Sequence, residues 1–149
     1  MAHQKRIELV QAAQQEMSAT DNMADAGRKV LLGSFLALLN EENEFHAGDP
    51  MRGVHQMRVA TRRMRSALRV LGTYYPKREV RTHRAWLKAS AAALGRVRDL
   101  DVMIGDLTAF GEKLDEARQA GLTELIAHFT PQQEEARAAL GNWLESRKY

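Results

Sequence analysis

His55, Arg58, Arg62, Arg65 and Arg69 recur at steps of three and four. At about 100° per residue they fall within an arc of roughly 80° on a helix. Val54, Met57, Met64, Leu68 and Leu71 form a second stripe directly beside it. An ordinary surface helix sets its charges opposite its apolar face. Here five potential cations stand on the shoulder of the core-facing stripe, over roughly 21 Å of helix, a placement that predicts one wall of a groove between helices. Arg81, Arg84 and Lys88 repeat the device within an arc of roughly 60°, with Leu87 and Leu94 on the adjoining side. Two such walls make a cationic channel. Like charges crowded into a partly desolvated groove repel one another, so the expected occupant is a polyanion.

The side-chain types narrow that occupant. Arginine predominates, and its planar fork suits bidentate contact with phosphate oxygens. Proteins that read nucleic acids add aromatics for base stacking, or Asn and Gln for base edges. The stripe holds no aromatic residue, and Tyr74, Tyr75 and Trp86 lie off it. A ligand of phosphates without bases fits better than nucleic acid, which stays as the alternative.

The whole chain supports that emphasis. Its net charge is only +3 over 149 residues, yet between Arg52 and Arg98 there are thirteen Lys/Arg against one acid, Glu79. The rest carries nine Lys/Arg and eighteen acids. So polarised a distribution creates a strong local positive field. The plain rival is a structural bundle whose arginines pair with its own acidic remainder.

Other chemistries find little support. The chain has no cysteine, hence no disulfide, no thiolate metal site and no cysteine nucleophile. It has no Walker loop, no His-Glu-x-x-His and no serine in a recognisable nucleophile setting. Asp99 and Asp101 suggest a Mg²⁺ pair, but residues two apart on a helix face about 200° apart, so capping, dipole compensation or pairing with Arg98 is expected instead. Glu42/His46 and Glu79/His83 are read as surface pairs, because two ligands without a third do not make a metal site. No enzyme activity and no cofactor are expected, and an enzyme that processes chains of phosphates stays as a second alternative.

These residues must be held by helices. Ala, Leu, Glu, Arg, Gln and Met abound, while ten glycines and three prolines punctuate the chain. Residues 1–22 read as an N-terminal arm, at most a loose helix. A helix is predicted over about 23–45, capped by Asp21 or Asn22, with Leu31, Phe35, Leu38 and Leu39 as core candidates. The helix of the basic stripe starts near Met51 or Gly53 and stops at Leu71. Another spans about 77–94 and ends at Gly95, and a further one starts near Asp99 and fades at Gly111. The stretch 114–128 reads as helical, and Thr130-Pro131 then opens a last helix, with Thr130 and Gln133 at capping-box spacing. No segment alternates like a strand. The fold class is all-α, a helical bundle of long antiparallel helices. No apolar run approaches the roughly 20 residues that span a bilayer, and the polar N-terminus lacks a signal segment, so a cytoplasmic protein without membrane contact is expected.

The run from Val54 to Arg65, Val-His-Gln-Met-Arg-Val-Ala-Thr-Arg-Arg-Met-Arg, closely resembles the first motif of the CHAD family, the conserved histidine α-helical domain. Leu94 to Val102, Leu-Gly-Arg-Val-Arg-Asp-Leu-Asp-Val, resembles its second motif, and the last residues, 144–149, also look like family sequence. The resemblance covers roughly 23–149. It implies a helical domain that binds inorganic polyphosphate in a basic central channel, with the motif positions His55, Arg58, Arg62, Arg63, Arg65 and Arg98 as ligand contacts. Arg69, Arg84 and Lys88 join them from helical geometry. Arg63 sits well off the stripe on the wheel, so a salt-bridge role stays open for it. A full domain of the family has two similar halves in pseudo-two-fold arrangement, and this chain resembles the first alone. A homodimer, or a missing second half, is therefore expected to complete the channel.

Overall fold

The computed structural model describes residues 2–146, with the backbone alone for Ala2 and Ala117. It contains five α-helices and one 3₁₀ turn: α1 (Ala2–Ala13), α2 (Met23–Ala47), α3 (Pro50–Leu71), the turn Gly72–Tyr74, α4 (Lys77–Gly111) and α5 (Glu116–Glu145). No strand occurs among the described residues. The chain is all-α, as its composition predicts. The last three residues of the expected bundle, 147–149, lie outside the described residues. The chain divides into two compact units, residues 1–92 and 93–149, with the boundary inside α4.

In the first unit α2 and α3 form a hairpin. The Asn22 side chain caps α2 by accepting the Asp25 backbone N–H at 2.9 Å. Asp49 caps α3, accepting from the N–H groups of Met51 and Arg52 at 3.0 and 3.1 Å, and Pro50 fills the first helical position, where its missing N–H costs nothing. Val54, Met57, Met64 and Leu68, the predicted apolar stripe, are buried with Leu38 and Leu39. Each such side chain contributes about 1.5–3 kcal/mol. Leu31, Phe35 and Leu71 are half-buried. Gly53 lets the two backbones meet: a Cβ there would stand 2.7 Å from the Phe45 nitrogen and 2.9 Å from the Glu41 oxygen.

In the N-terminal arm, residues 2–13 form the helix α1. α1 packs on α2, with Ile7 buried and His3 Nδ1 3.3 Å from Glu42 Oε1. This corrects the surface pairing of Glu42 with His46: Glu42 is buried and faces α1. Lys29 fastens the connection to α2, donating to Asp21 at 2.7 Å and to the Glu16 carbonyl at 2.8 Å.

The first part of α4 lies against this hairpin. Phe35 and Trp86 meet edge to face with centroids 6.1 Å apart. Val80 and Leu87 are buried. The Tyr75 hydroxyl donates to the Ala24 carbonyl at 2.7 Å where Gly27 leaves room for it, and burial raises the tyrosine pKa above its ordinary value.

The second unit holds the rest of α4 and all of α5. Two predicted breaks are absent. Gly95 does not end a helix, because Leu94 and Val97 on either side of it are both buried; a mid-helix glycine costs about 1 kcal/mol against alanine, less than either burial contributes. Thr130-Pro131 does not open one. Pro131 lies inside α5, and the Thr130 hydroxyl donates backward to the Ile126 carbonyl at 3.0 Å instead of capping. Ala136, Leu140 and Leu144, buried beyond the proline, hold the helix together despite the lost hydrogen bond. Asp101 is neither a cap nor a partner of Arg98. It is buried, and its Oδ1 accepts from Gln133 Nε2 at 2.7 Å and Arg137 Nη2 at 2.8 Å, fastening α4 to α5.

A candidate polyanion-binding surface

α3 carries the expected stripe. Because Val54, Met57, Met64 and Leu68 are held in the core, the flank that bears His55, Arg58, Arg62, Arg65 and Arg69 has a defined direction. Successive members at i, i+4 are about 6 Å apart along the axis. Arg58 is half-buried, and His55, Arg62, Arg65 and Arg69 are exposed. The stripe is thus an open basic surface in this unit, not the enclosed wall expected from its place beside the apolar stripe. The reason is geometric: helical spacing sets direction, while enclosure depends on what lies across from it.

In the same unit, α4 contributes Arg84 and Lys88, both exposed. Arg84 is already partly engaged. Its Nη2 donates to the Leu68 carbonyl at 2.8 Å, an oxygen that also takes the Gly72 N–H at the end of α3. That bond anchors one edge of the guanidinium and leaves its other N–H groups for a ligand. Arg81, exposed on the same arc, joins them; its register with Arg84 and Lys88 is visible in the sequence. Arg63 is exposed but lies about 120° round α3 from the stripe, so the structure does not bring it together with the other motif residues. Arg98 belongs to the second unit and is half-buried there.

The charge of this region is uncompensated. Of its thirteen lysines and arginines, one, Arg96, forms an ion pair among the described residues, 3.3 Å from Glu135. His55 has no hydrogen-bond partner among the described residues. These cations are donors aimed outward, the arrangement that recognises an extended anion. Among the described residues no three His, Asp or Glu side chains gather as a metal site, and no helix is long and apolar enough to cross a membrane.

Comparison with known proteins agrees with the motifs. A family model described as the CHAD domain matches residues 29–149. No curated protein and no solved structure matches the chain.

Proposed function

The chain belongs to the CHAD domain family, and from that premise we propose that it is a cytoplasmic, non-catalytic module that binds inorganic polyphosphate through the basic stripe of α3. His55, Arg58, Arg62, Arg65 and Arg69 form the main contact line. Arg81, Arg84 and Lys88 on α4 extend it, and Arg98 follows from the family motif. The observation that carries this reading is the uncompensated charge: a row of exposed or half-buried arginines on one flank of one helix, without a carboxylate partner among the described residues. Holding them together without a ligand costs repulsion, and a polyanion removes that cost. The absence of aromatics from the stripe favours phosphates without bases.

The test is binding of labelled long-chain polyphosphate at two salt concentrations, with unlabelled single-stranded DNA of equal charge as competitor. Tight, salt-sensitive binding that DNA displaces poorly is the expected result. Easy displacement would assign the surface to nucleic acid or to polyanions in general. Phosphate release that requires a metal and is lost in His55→Ala would overturn the non-catalytic reading.

A further inference from the structure

Of the eight residues in the two basic stripes, Arg84 alone has a hydrogen-bond partner among the described residues. Its Nη2 donates at 2.8 Å to the Leu68 carbonyl, near the negative end of the α3 dipole. That oxygen already accepts the Gly72 N–H, so the guanidinium takes its second lone pair. Gly72 leaves the room for this contact. Its φ of −61° and ψ of −18° are open to any residue, so conformation does not call for glycine there. Space does. A Cβ on Gly72 would stand 3.3 Å from Arg84 Nη2 and 3.2 Å from Val80 Cγ1. Val80 is buried, as are Leu68 and Leu87, so the exposed guanidinium is the neighbour that gives way. All of these residues lie in the first unit.

We propose that Arg84 is the pre-set contact of the basic surface, fixed before the ligand arrives, and that Gly72 is its positioning residue. The proposal rests on the polyphosphate reading and adds to it how the surface is prepared. An exposed arginine gives up rotamer freedom when a ligand captures it, and that loss lowers affinity. For Arg84 the Leu68 carbonyl imposes much of that order in the free chain. One of its five N–H groups is used, and four remain for phosphate oxygens. The same bond turns the α4 arc toward the end of α3 that bears Arg65 and Arg69, because Arg81 and Lys88 share the arc of Arg84. Gly72 touches no ligand. It acts through the guanidinium that its missing side chain admits.

The test is a salt titration of labelled long-chain polyphosphate binding to the full chain and its variants. Gly72→Ala removes no charge, so it should weaken binding about two- to tenfold with the slope of log K against log salt unchanged. Arg84→Gln removes the contact itself, so affinity should fall and the slope should drop by about 0.7. In the R84Q background Gly72→Ala should have no further effect, which a general disturbance of the α3–α4 corner would not give. Arg84→Lys keeps the charge without the planar fork and should weaken binding at unchanged slope. Circular dichroism checks the fold of each variant, and if G72A does not fold, R84K decides alone. A parent chain that does not bind polyphosphate would overturn the proposal together with the reading beneath it. With the parent binding, parental affinity in G72A or R84K, a G72A effect that persists in R84Q, or a parental slope in R84Q would each overturn the proposal alone.

Discussion

Asp101 accepts a 2.8 Å hydrogen bond from Arg137 Nη2, across 36 residues of sequence, with no part of its carboxylate side chain open to solvent. Gln133 supplies a second donor to the same oxygen, and the other oxygen, Oδ2, is buried with no partner among the described residues. This buried carboxylate ties α4 to α5 within the second unit.

Arg137→Met leaves that carboxylate sealed with Gln133 alone. Such a change costs about 3–5 kcal/mol for a fully buried pair; Arg137 is 34% exposed, so about 2–3 kcal/mol is expected after allowing for solvent screening. Urea denaturation of R137M and of the apolar double variant D101L/R137M measures it. The double variant should recover much of the loss, and equal destabilisation in both would show that packing, not the stranded charge, is responsible.

Two glycines should respond in opposite directions. At Gly53 a Cβ meets backbone atoms of Phe45 and Glu41, which cannot swing aside, so Gly53→Ala is expected to cost about 1–3 kcal/mol. At Gly105, inside α4, nothing lies within 4 Å of the added Cβ, and Gly105→Ala should stabilise by about 0.5–1 kcal/mol. Thermal melts of the two variants side by side decide it.

Arg62→Ala removes one exposed cation from the stripe. It should weaken polyphosphate binding several-fold and lower the slope of log K against log salt by about 0.7, as for one contact with a single-stranded polyanion. Without ligand its melting temperature should hold or rise, because repulsion along the stripe is relieved. Unchanged affinity in both Arg58→Ala and Arg62→Ala would remove α3 from the binding surface.

The Lys29 ammonium, and then the Ser18 backbone N–H, hold the Asp21 carboxyl below its ordinary value of 3.8. A lowered folded-state value means that the folded chain binds fewer protons than the unfolded chain near that pH. The stabilisation is therefore present above about pH 4 and is lost as the pH falls through the depressed value. Asp21→Asn should melt below the parent at pH 7 and converge with it on acidification, followed by melts from pH 7 down to pH 2.

The sequence by itself determined the all-α class and the direction of one basic stripe. Steps of three and four place Val54, Met57, Met64 and Leu68 on one side of α3 and the arginines on its flank, because 100° per residue is a property of the backbone. Capping likewise needs only neighbours, and Asn22 marks a helix start that the structure keeps. Tertiary structure decided whatever depends on distant partners. Gly95 and Pro131 carry local penalties that end a helix when judged alone; buried leucines and a valine on both helices outweigh them. Asp101 looks like a helix-end carboxylate in any short window, since its partners lie 32 and 36 residues away. Glu42 pairs in sequence with His46 but in space with His3. Whether the basic stripe stands open or enclosed follows the same rule, because a helix fixes where its own side chains point but not what packs across from them.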